Sequence, residues 1–76
     1  MDEVKYFNIG CNDEEWINSI ITKFNALNKT DFHLVEMLHW EVIFAKVGTT
    51  ESLQTIFDFA KFVAHFESIE YIEGRI

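Results

Sequence analysis

The 76 residues contain no proline, one cysteine, three glycines and one arginine. Each scarcity excludes something. A lone cysteine, Cys11, cannot close an internal disulfide, whereas a secreted domain this small usually carries several. The amino terminus reads Met1-Asp2-Glu3, with neither the basic region nor the apolar run of a signal peptide. No apolar stretch reaches 18 residues, so none is long enough to span a bilayer. These features point to the cytoplasm. Six basic residues against 13 acidic ones leave a net charge of −7. Nucleic-acid binding rests on Lys and Arg that neutralise phosphates, and direct binding of DNA or RNA is excluded on that ground. An acidic chain suits a basic partner, or stays soluble through self-repulsion.

What is abundant is apolar. Hydrophobic residues make up 49% of the chain, and eight of them are Phe. A domain of this length buries only about 60% of the surface its unfolded chain exposes. The apolar content exceeds what so small an interior hides, so some of it faces solvent or a partner. Residues with AT-rich codons (Phe, Ile, Asn, Lys, Tyr) far outnumber Gly, Ala, Arg and Pro. That bias fits a low-GC bacterium or its phage.

The length suits one domain, residues 1–76. Ile72-Glu73-Gly74-Arg75 matches a commonly engineered protease-cleavage sequence, so 72–76 reads alternatively as an appended tail. Glycines punctuate the rest. Gly10 and Gly48 each end an apolar run just ahead of a helix-start signal. Val4–Ile9 is aromatic and β-branched, a strand pattern. Asn12 then reads as an N-cap, with Asp13, Glu14 and Glu15 in the first turn and Glu15 at the capping-box position. Trp16, Ile17, Ile20, Phe24 and Leu27 share one face of a helix over 13–28, with Ile21 at its margin.

Asp31–Val47 contains no turn residue. As one strand it would run about 56 Å, against a radius of gyration near ~11 Å for a chain this long. As a helix it would be apolar all round and demand burial on every side. A hairpin, with strands near Phe32–Met37 and Trp40–Val47, satisfies both limits. Thr49 or Thr50 then caps a second helix to about Phe66, and Ser68–Ile72 reads as a final strand. The order β-α-β-β-α-β gives an α+β fold: a two-layer ferredoxin-like sandwich, four antiparallel strands with both helices on one face.

Chemistry is sparse. His33-x-x-Glu36-x-x-His39 tempts a metal reading, but odd spacing sends His33 and Glu36 to opposite faces of a strand. Cys11 precedes a helix N-terminus, which favours a thiolate, yet no base is placed beside it by spacing. The carboxylates are accounted for by helix capping and by protection of an edge strand. The expectation is a non-enzymatic chain without cofactor or metal.

The second helix carries the surplus. With Ala60 at 0°, Leu53, Ile56, Phe57, Val63 and Ala64 fall within about ±60°, while Phe59, Phe66 and Phe62 lie near −100°, −120° and −160° (about 100° per residue). The arc spans about 220°, and Phe62 falls nearly opposite the expected core. Val4 and Tyr6 oppose Phe7 and Ile9 on the first strand, so the uncovered sheet face is also read as apolar. Contiguous patches of this kind mark interaction sites. The expected protein-binding residues are Tyr6, Phe59, Phe62, Phe66 and Tyr71, with Glu67, Glu70 and Glu73 as a charged rim. The function read from these features is a small protein-binding module. It would be an inhibitor or modulator of the immunity, antitoxin or phage host-modulator kind, bound to a protein with a basic surface or to itself as a homodimer. The alternative is a small-ligand regulatory domain that pairs through its sheet.

Overall fold

A computed structural model describes residues 3–74, with side chains over 3–67. Three strands and two helices follow in the order β1 (Lys5–Gly10), α1 (Glu14–Asn28), β2 (His33–His39), β3 (Ile43–Thr49) and α2 (Leu53–Gly74). The hairpin expected in the middle of the chain is present, reversing through residues 40–42. β3 is the central strand and pairs antiparallel with both β1 and β2, giving the order β1-β3-β2. β1 and β2 therefore run parallel to each other across β3, joined by α1, a split β-α-β unit.

The fourth strand is not formed. Ser68–Ile72 continues α2, which runs for 22 residues. This corrects the ferredoxin-like four-stranded expectation: the architecture is α+β with three antiparallel strands and two helices. The physical reason lies in the absence of any Gly or Pro between Leu53 and Glu73, so nothing stops the helix where a strand would have to begin. At 1.5 Å per residue α2 is about 33 Å long. It gives the molecule a long axis of 46 Å and a radius of gyration of 12.6 Å.

Helix starts differ from expectation by one to three residues. Asp13, not Asn12, caps α1: its carboxylate accepts the Trp16 N–H at 3.0 Å. Ser52, not Thr49 or Thr50, caps α2, its hydroxyl accepting the Thr55 N–H at 3.2 Å. α1 ends on Lys29 in the left-handed region (φ 55°). The turn that follows is clamped by Asn25, whose amide donates to the Phe32 carbonyl (2.8 Å) and whose oxygen accepts from the Phe32 N–H (3.0 Å) and the Thr30 hydroxyl (2.8 Å).

The core lies between one sheet face and the helices. Ile17, Ile20, Ile21 and Phe24 of α1 meet Ala45 and Val47 of β3, Phe32, and Phe59 and Val63 of α2. Leu27, expected on this face, is exposed. Phe59 is the centre. It is fully buried, stacks on Phe32 at 4.4 Å and meets Phe7 and Phe24 edge to face at 6.1 and 5.2 Å. Phe24 extends the cluster to Phe62, and Phe62 to Phe66, so six of the eight phenylalanines form one connected set. Edge-to-face aromatic pairs each contribute about 0.5–1.5 kcal/mol beyond area burial.

Candidate interaction surface

α2 is rotated about its axis relative to the wheel reading. Its buried side centres on Phe59, with Val63 buried and Ile56, Phe62 and Phe66 packed at the margin. Of the face expected to meet the core, Ile56 and Val63 do so, while Leu53, Phe57, Ala60 and Ala64 face solvent. Leu53 is 67% and Phe57 64% exposed, and Ala60 and Ala64 continue the stripe along the helix. Phe59 is therefore a core residue and offers no contact surface. Phe62 and Phe66 are half-buried against the core, with the Lys23 ammonium 5.1 Å over the Phe66 ring. Glu67 is exposed one turn past Ala64. Glu70, Tyr71 and Glu73 have helical backbone, and their side chains fall outside those described.

Tyr6 stands on the helix-free sheet face and is exposed. That face has mixed character, in contrast to the apolar expectation. Cross-strand partners place Tyr6, Gly48 and His33 in one row, Asn8, Lys46 and Glu36 in the next, and Gly10, Phe44 and Leu38 in the third. The Tyr6 and His33 rings close over Gly48. A Cβ there would sit 2.8 Å from His33 Nε2 and 3.1 Å from Tyr6 Cε1, so glycine leaves room for the rings. Lys46 Nζ lies 5.1 Å over the Tyr6 ring. A bulge between Leu34 and Glu36 shifts the register, so His33 and Glu36 share this face despite their odd spacing. His39 falls at the opposite parity, across from Ile43. Among the described residues no group of three or more His, Cys, Asp or Glu side chains is placed to hold a metal. Cys11 is half-buried against the core, its N–H donating to the Ile43 carbonyl at 3.1 Å.

A second apolar patch stands at the tip of the hairpin. Trp40 (65% exposed) and Val42 protrude at the β2–β3 reversal, with Trp40 meeting Phe44 edge to face at 5.8 Å. The strand reading placed Trp40 inside β3, which hid it; the absence of Gly and Pro at the turn removed the usual signal.

One polar cluster organises the approach to α2. The Asp31 carboxylate accepts from the hydroxyls of Thr49 and Thr50 (both 2.5 Å) and from the Thr50 N–H (3.1 Å). Thr49 is fully buried and its oxygen accepts in turn from the Glu51 N–H. The Thr49 hydroxyl foremost, then that of Thr50, holds the Asp31 carboxyl below the usual aspartate value. Thr49 and Thr50 are thus spent on a tertiary tie and not on capping. Both Asp31 carboxylate oxygens and the Thr49 oxygen thus accept hydrogen bonds from within the cluster, which ties the approach to β2 to the loop before α2.

No helix among the described residues is long and apolar enough to cross a membrane. The chain matches no protein-family model, no curated protein and no solved structure.

Proposed function

We propose that the chain is a small, acidic, non-enzymatic protein-binding module of the cytoplasm, an inhibitor or modulator that acts by covering a surface of another protein. The observation that carries this reading is the solvent-facing stripe of α2: Leu53 and Phe57 largely exposed, continued by Ala60 and Ala64. Spaced at i, i+4, i+7 and i+11, these residues make the narrow apolar ridge by which a helix enters a hydrophobic groove. Exposing two large side chains on one ridge is unfavourable for a lone chain, and a partner's groove removes that exposure. The net charge of −7 selects a partner with a basic rim, and Asp58 and Glu67 lie exposed on the same helix.

The test is capture from native cells by the tagged chain and by a Leu53→Ser/Phe57→Ser variant, with bound protein identified and titrated in purified form. The expected partner is basic, binds more weakly as salt rises, and loses roughly thirtyfold or more in affinity to the variant. An equally tight complex with the folded variant would sink the reading.

A further inference from the structure

We infer that the open edge of β1 is a self-association surface, along which a second copy of this chain adds its own β1 antiparallel and joins both sheets into one. The inference is independent of the α2 stripe and starts from topology. A second split unit, β3-α2-strand, would place its last strand parallel to β3 with β1 between them. Among the described residues that position, beside β1, is unfilled, because the residues that would supply the strand continue α2. β1 is consequently an end strand over its whole length.

Of the devices that blunt edge strands, β1 carries one, the Lys5 charge at its first residue. Lys5–Gly10 contains no proline, and the bulge of the sheet lies in β2, at the other end. The segment carries no carboxylate, on a chain of net charge −7, so two copies of it approach without the repulsion that the rest of the surface imposes. Its only charge, Lys5, donates to the Glu51 carbonyl at 3.0 Å. Phe7 and Ile9 point to the core side and are only half-buried, so a strand laid alongside would cover what remains.

The geometry also selects a register. Cys11 N–H donates to the Ile43 carbonyl. By the alternation of an antiparallel ladder, Lys5, Phe7 and Ile9 therefore turn their backbone groups to β3, and Tyr6, Asn8 and Gly10 turn theirs to the open edge. Two-fold pairing centred on Asn8 sets Asn8 against Asn8 of the second copy and Tyr6 against Gly10, all with edge-facing backbone groups. Gly10 has no heavy atom within 4 Å of its Cβ position, so it gives the tyrosine room. Phe7 then meets Ile9 of the second copy as a non-hydrogen-bonded pair on the core side, where side chains approach closest. Pairing centred on Phe7 would instead set the Lys5 side chain against Ile9.

Sedimentation velocity and light scattering on the full chain, across concentration and salt, test this. The expected mass is that of a dimer, with association strengthened by salt because the copies repel elsewhere. Asn8→Pro removes an edge-facing N–H and leaves the ladder to β3 intact, so it should fold and associate roughly thirtyfold more weakly. Should that variant fail to fold, Asn8→Lys places two like charges across the axis; it should be monomeric at low salt and recover at high salt. Asn8→Cys in a Cys11→Ser background should form an intermolecular disulfide on oxidation. A chain monomeric throughout, or a dimer indifferent to the Asn8 substitution that folds, overturns the proposal. Loss of self-association with Leu53→Ser/Phe57→Ser alone would assign the dimer to α2 and overturn it equally.

Discussion

The two helices are built from similar residues and obey different rules. α1 has one apolar stripe and a polar remainder, so only one rotation about its axis buries Ile17, Ile20 and Phe24, and it adopts that rotation. α2 is apolar over more than half its circumference, and at least two rotations offer a hydrophobic face to the sheet. The wheel centres on Ala60; the molecule centres on Phe59. Volume decides between them. The space between α1, β1 and β3 is bounded by Phe7, Phe24 and Phe32, and a benzyl side chain fills it with edge contacts and one stacked pair, where Ala60 would leave a void. A broad apolar arc thus states that a helix will be buried on one side without stating which, and whichever side remains becomes surface.

The two helices also begin differently. α1 starts from a cap in its own loop, Asp13 on Trp16. The approach to α2 has the local Ser52 cap and, ahead of it, Asp31 holding Thr49 and Thr50 from 18 and 19 residues away. One start is local in sequence, and the other is supported through the sheet.

The largest test of the comparison is Phe59→Ala. Removing the central ring should cost about 4 kcal/mol, most of the stability of a chain this small, and yield a largely unfolded protein by circular dichroism. A near-native unfolding midpoint would mean that α2 is held by its other face. Next is Asp31→Ala, which strips the buried Thr49 hydroxyl of its acceptor and should cost about 2 kcal/mol at neutral pH by urea unfolding. Its pH dependence has a definite sign. The folded carboxyl titrates below its unfolded value, so the tie contributes above about pH 4 and is lost as pH falls through the folded value. The native chain should therefore lose more stability than Asp31→Ala between pH 5 and acid, and parallel losses would refute the tie. Smaller again is the cap pair: Asp13→Ala should cost about 1 kcal/mol and Asn12→Ala close to nothing, with the reverse order restoring Asn12 as the cap. Least of all is Phe57→Ser, expected to shift stability by no more than about 0.5 kcal/mol because the ring is exposed. A loss of several kcal/mol there would show that the stripe is interior after all.

That α2 has an exposed apolar side is legible in the sequence; which residues form it is not. That α2 carries more apolar surface than a small core can use follows from its residues alone, and it holds. Phe62 was the expected anchor because it stands farthest from Ala60 on the wheel; once the axis turns to Phe59 it meets Phe24 at 5.2 Å, and Phe57 takes the solvent side. Alternation sets Tyr6 opposite Phe7 and Ile9 without saying which side is outward, since both are apolar; the structure turns Tyr6 to solvent. Trp40 was missed because a turn without Gly or Pro has no compositional mark.

By itself the sequence determined the first helix and the burial of Ile17, Ile20 and Phe24 on it, the three strands, the hairpin in the middle and the acidic charge, since each rests on local periodicity or on counting. Tertiary structure alone decided the rotation of α2, the continuation of that helix through Ser68–Ile72, the Asp31 tie and the unfilled edge of β1. Those outcomes depend on competition between distant segments for one interior. A phenylalanine fits that interior only in the company of Phe7, Phe24 and Phe32, which no window along the chain brings together.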